Sequence, residues 1–137
     1  RPPDGRDRDV TDALIDIAIV VAAGAAAVGL GGPLVLALFR RIDRHDDDVD
    51  GITDARSTLR GGAWIGVLER VAVFATLVAG WPEGVALVAV VKGLGRYPEL
   101  KGREPDVSER FIIGTFTSVL WAAGCAGVAR WLLVLAG

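Results

Sequence analysis

Four ionisable residues stand inside otherwise apolar sequence. Glu69 and Arg70 are neighbours in WIGVLERVAVFATLVAG, and Lys92 and Arg96 interrupt VALVAVVKGLGRY. One acid and three bases can do two kinds of work. They can pair and lock helices in register, or they can line a path for an ion, a proton or a polar ligand. A charge at the centre of a bilayer costs several kcal/mol unless it is paired or wetted, so such residues mark function by default. The balance of one negative against three positive groups favours anions over cations. Glu109, Thr115 and Ser118, in the last apolar segment and at its entrance, complete the set of candidate pathway residues.

Catalysis has less to build on. His45 is the only histidine and Cys125 the only cysteine, so no histidine triad, disulfide or metal-ligand spacing exists. No nucleophile–base pair stands out. The reading is therefore of a protein without catalytic residues, cofactor or metal.

The elements that must position these charges follow from composition. The chain has 137 residues, 52% of them apolar, and a net charge of -2. That length suits one domain, and the near-neutral charge gives no electrostatic footprint for nucleic acid. Residues 1–12 are a polar tail. Residues 13–39 are apolar almost throughout, long enough at 1.5 Å per residue to exceed the ~30 Å hydrocarbon core. Gly31-Gly32-Pro33 is expected to bend this helix. Further helices are expected over 61–80, 82–97 and 107–135, with charged loops at 40–60 and 98–106. Asp106 and Glu109 read as a capping box opening the last helix. The fold class is thus all-α: a polytopic bundle of four transmembrane helices in one membrane domain over 13–137. The third segment is short enough that three spans plus a re-entrant segment is the alternative.

Counting from the Trp81–Gly84 turn gives depths. Glu69 lies eleven residues before Gly80, about 16 Å from the turn. Lys92 lies ten residues after Pro82, about 15 Å from it, and Arg96 one helical turn further, about 21 Å. Glu69 is therefore level with Lys92 and within reach of Arg96. Arg70 points roughly 100° away, toward another helix or the inner surface.

The loops set the orientation. Nine basic residues, Arg40, Arg41, Arg44, Arg56, Arg60, Arg96, Lys101, Arg103 and Arg110, lie in or beside the two charged loops, and the short turn has none. The positive-inside rule puts both loops in the cytoplasm and both termini outside, in a bacterial plasma membrane. Trp64, Trp81, Tyr97 and Trp131 fall near helix ends as an aromatic belt requires, whereas Trp121 falls mid-span and reads as packing. The bilayer is one expected partner and a second copy of the chain another. Gly24 and Gly29 in the first helix, and Gly114, Ser118 and Gly124 in the last, are small residues of the kind that bring helix backbones together in lipid. With no methionine anywhere, the chain is expected to be processed or part of something longer.

Two motifs fail on inspection. Asp46, Asp48, Asp50 and Gly51 have the spacing of a calcium loop, but its twelfth position is Ser57 where a bidentate Glu is needed. Asp50-Gly51 with Ala55-Arg56 is one residue too long for the D-G-x-x-A-R signature of membrane phospho-alcohol transferases, and the downstream aspartates are missing.

GGAWIGVLER, AVVKGLGRYPEL and ERFIIGTFTS, in that order, resemble the C-terminal membrane region of a family of uncharacterised bacterial integral membrane proteins. That pattern runs G-x-x-I-G-x-L-E-R, then A-x-K-x-x-x-R-[FY]-x-E-[LI], then E-[RY]-F-[LI]-I-G-T-x-x-S, and covers residues 61–118. The resemblance places its polar positions on Glu69, Arg70, Lys92, Arg96, Glu99, Glu109, Thr115 and Ser118. It implies a membrane protein with a polar cluster toward the cytoplasmic side, and no activity. Together these readings lead to a small transport or channel-like protein contacting an ion or anionic ligand. Its rival is a non-catalytic accessory or scaffold subunit.

Overall fold

The computed structural model describes the backbone of residues 5–43, 55–100 and 105–136, and side chains over 9–42, 64–95 and 111–136. The described residues are all helical apart from the turn between the second and third helices. The four helices are α1 (Gly5–Asp43), α2 (Ala55–Val78), α3 (Glu83–Leu100) and α4 (Pro105–Ala136). Runs rich in Ala, Leu and Val favour helix once neighbouring faces can be buried.

Three boundaries differ from the sequence expectation. α1 begins at Gly5, so most of the expected tail is helical, and α2 begins at Ala55, inside the expected loop. Hydropathy does not register these extensions, because they are polar turns of helices whose cost of nucleation is met further along. α4 begins at Pro105, one residue ahead of Asp106, so Asp106 is not the cap that opens it. Proline suits that first position because its missing N–H has no intrahelical acceptor there. Pro33 lies inside α1, which runs unbroken past Gly31 and Gly32.

α1, α2 and α4 form the packed core, with α1 against α4 the largest contact and α3 resting on α2. Their shared interior is Ala27, Val73, Phe74, Ala122, Ala126 and Ala129. Four of these six are alanines, so the helices meet closely through small side chains. Gly24 receives the Phe74 ring, with a would-be Cβ 3.2 Å from Cε1, and Gly114 receives Phe39 at 3.3 Å. Gly29 and Gly124 have nothing within 4 Å of an added Cβ. Of the expected packing glycines, two therefore act within the protomer and two lie on open faces.

The α2–α3 turn closes with local hydrogen bonds. Gly80 adopts φ +77°, a left-handed conformation that glycine takes without Cβ strain. It allows Trp81 N–H to donate to the Thr76 carbonyl at 2.8 Å and Gly80 N–H to donate to the Leu77 carbonyl at 3.1 Å. This pair of bonds ends a helix in a Schellman motif. Glu83 then sits in the first turn of α3, where the helix dipole favours an acid.

Two helices are long and apolar enough to cross a membrane, over Asp9–Ile42 and Phe111–Ala136. Their outer faces expose Leu14, Ile17, Val21 and Leu36 on α1, and Phe116, Leu120 and Val134 on α4. Exposed apolar area on this scale suits a lipid surface better than water.

Candidate functional site

Glu69 and Arg70 are consecutive on α2 and face different neighbours. Both are buried, at 8% and 7% exposure, and Ser118 on α4 is buried at 5%. No other charged or polar residue is buried among the described residues.

Glu69 looks toward α3. Its Oε2 accepts from Lys92 Nζ and forms an ion pair with it. Lys92 also stands over the Phe111 ring of α4, 5.4 Å from its centroid, a cation–π contact. The depth counted from the turn thus finds its partner in Lys92. Glu69 Oε1 is buried and has no hydrogen-bond partner.

Arg70 looks into the core between α1 and α4. Nη1 donates to Ser118 Oγ at 3.2 Å. The side chain lies across Gly31: a Cβ there would come within 2.9 Å of Arg70 Nε and 3.2 Å of Trp121 Cδ1. Gly66 and Gly32 flank the guanidinium, with would-be Cβ atoms 3.5 Å from Nη1 and 3.9 Å from Nη2. Glycines on two helices thus make the room that an arginine needs inside a bundle. Trp121 closes the niche, its indole N–H donating to the Ala26 carbonyl at 3.2 Å. Nε is buried without a hydrogen-bond partner. Among the described residues Arg70 forms no ion pair.

The structure thus brings together Glu69 with Lys92, and Arg70 with Ser118. Thr115 does not join them: its hydroxyl donates to the Phe111 carbonyl of its own helix at 2.8 Å. Such a back-bond to i−4 satisfies the hydroxyl locally. The side chains of Arg96, Glu99 and Glu109 lie outside the described residues, as does the acidic loop from Asp46 to Gly51. Sequence reasoning did not find Gly31, Phe111 or Trp121 as parts of the site. Gly31 read as part of a bend, Trp121 as a mid-span packing residue, and Phe111 as an apolar position within ERFIIGTFTS. An open groove lined by Asp16, Ile17, Val20, Val21 and Leu133 lies toward the other end of α1 and α4.

No family model, curated protein or solved structure matches the chain.

Proposed function

We propose that the chain is an integral membrane protein of four transmembrane helices whose buried charge cluster contacts an anion during transport or channel-like passage. One observation carries this reading: Arg70 is a buried cation bonded to a hydroxyl, with no carboxylate paired to it among the described residues. A buried charge without its counter-charge is costly, and an anionic ligand offsets that cost. Glu69 and Lys92 neutralise one another, so Arg70 leaves the trio with a net positive charge. The resemblance over residues 61–118 to uncharacterised bacterial membrane proteins implies a polar cluster toward the cytoplasmic side, and the positive-inside rule puts both termini outside in a bacterial plasma membrane.

The accessory or scaffold reading is favoured by a different observation. The Glu69–Lys92 pair fastens α3 to α2, as a structural clamp would. Flux of anions into liposomes separates the two. Transport predicts uptake that Arg70→Gln abolishes. A protein that folds yet carries no flux, with Glu69→Gln changing stability alone, is a scaffold.

Orientation is tested by cysteine labelling from outside intact cells in a Cys125→Ala background. Position 83 is expected to label and position 57 to be protected; the reverse overturns the topology. Gly29→Leu tests self-association, since Gly29 is open and a bulky side chain there separates helices without touching the protomer core.

A further inference from the structure

The end of the bundle at the α2–α3 turn carries an exposed cation. Arg130 on α4 donates from Nη1 to the Leu77 carbonyl at 3.1 Å. The same nitrogen lies 3.4 Å from where a Cβ on Gly80 would stand, so the guanidinium is at the turn itself. The protein engages it through that nitrogen alone, and the exposed side chain leaves room for a ligand beside it. Trp81 follows Gly80 in the turn and Trp131 follows Arg130 on α4, and both indoles are exposed. Exposed indoles beside an arginine at a helix end belong at the level of lipid headgroups.

Every other described charge at this end is acidic: Asp9, Asp12 and Asp16 on α1 and Glu83 on α3, all of them exposed. Asp16 forms no ion pair among the described residues. It lines an open groove with Leu133, which lies one helical turn beyond Arg130 on α4. Ala129, the neighbour of Arg130, belongs to the same packed cluster as Val20 and Leu77. Asp16 is four residues nearer the start of α1 than Val20, about 6 Å along the helix. Moving out of the bundle, a cation at the turn is thus followed by an acid.

We propose that this end of the bundle binds a phospholipid with a zwitterionic, amine-bearing headgroup, Arg130 taking the phosphate and Asp16 the ammonium. The inference rests on the membrane placement of the bundle and is independent of the anion reading at Arg70. A phosphodiester accepts charge-assisted hydrogen bonds from the guanidinium, and an ammonium donates to a carboxylate. In a phosphatidylethanolamine two carbons join these groups, with the amine on the water side of the phosphate. That order matches the order of Arg130 and Asp16. A headgroup of net negative charge offers the same phosphate but nothing for Asp16, and it approaches an end where the remaining described charges are acids.

The test uses the full chain in an uncharged detergent. Native mass spectrometry counts bound lipid as dioctanoyl phosphatidylethanolamine or dioctanoyl phosphatidylglycerol is titrated in. The ethanolamine lipid is expected to bind about threefold more tightly than the glycerol lipid. Arg130→Gln removes the partner of the phosphate and should weaken both about tenfold. Asp16→Asn should erase the preference between the two lipids without weakening phosphatidylglycerol. Both side chains are exposed, so neither change disturbs the packed core. Equal or tighter binding of phosphatidylglycerol to the unaltered chain, an affinity unmoved by Arg130→Gln, or a preference retained in Asp16→Asn overturns the proposal. Washing native membranes with alkaline carbonate separates its failure from that of the membrane reading. A chain released by the wash defeats both; a chain that stays in the membrane, and whose lipid binding ignores Arg130, defeats this site alone.

Discussion

The two sides of α2 hold their neighbours by opposite means. Toward α1 and α4 the helix packs through Val73 and Phe74 against alanines and glycines, and the one charge on that side, Arg70, lies across a glycine. Toward α3 it relies on an ion pair and a tight turn, and α3 exposes Leu87, Val90, Val91 and Leu94. Close packing fixes the first contact at many points along the helix. The second is held by Gly84 against Thr76 near the turn and by the Lys92–Glu69 pair about midway along α3. Removing a charge should therefore be most damaging where packing is sparsest, and adding a methyl group most damaging where packing is closest.

The largest effect should come from the charge. Glu69→Gln leaves Lys92 beside a neutral amide in a largely buried place and should cost about 3 kcal/mol. Glu69→Gln combined with Lys92→Gln should recover most of that loss, measured as thermal or denaturant stability in detergent. Recovery by Arg96→Gln instead would show that the pair has been assigned to the wrong cation.

Gly31→Ala tests the packed side. Helix propensity alone favours alanine by about 1 kcal/mol, so the sign of the change is itself informative. The added Cβ meets Arg70 and Trp121, and the variant should lose about 1–2 kcal/mol. In an Arg70→Ala background the same substitution should become neutral or stabilising; additivity in that cycle would disprove the contact. Gly84→Ala is the corresponding change beside α3. Its Cβ would sit 2.9 Å from both Thr76 Cβ and Trp81 Cε3, and a loss of about 1 kcal/mol should shrink with Thr76→Ala.

The smallest effect is expected at Arg130. This exposed side chain donates to the Leu77 carbonyl at 3.1 Å, an oxygen that already accepts from Gly80. Arg130→Gln should change stability by no more than about 0.5 kcal/mol. A loss above about 1 kcal/mol would mean that the core is held at its end by polar contacts as well.

Much of this arrangement was legible in the sequence. Helix count follows from the apolar runs, and the level of Lys92 opposite Glu69 follows from counting along two helices from one turn. The direction of Arg70, about 100° from Glu69, follows from helical geometry alone. What lay at the end of that direction was not legible. Gly31 is 39 residues away in sequence and Ser118 is 48 away, and nothing in either segment states that they meet. Gly31 also sits in Gly-Gly-Pro, where a local cause for glycine hides a distant one. The charged turns at the start of α1 and α2 escaped for another reason: a polar helix surface has no hydropathy period to reveal it. Thr115 looked available as a ligand group because sequence cannot show a hydroxyl turned back on its own carbonyl.

The bond between Trp121 and the Ala26 carbonyl has an optical consequence. Trp64, Trp81 and Trp131 are exposed on the outside of the bundle, whereas Trp121 is partly enclosed between α1 and α4. In a bilayer doped with brominated acyl chains, the three outer indoles are open to collisional quenching and the fourth is shielded. The emission that survives then comes chiefly from a single indole at the wall of the Arg70 niche. A change in charge or hydration there should shift the colour of that residual emission, so the chain carries its own fluorescent reporter of a buried cation that has no counter-ion among the described residues.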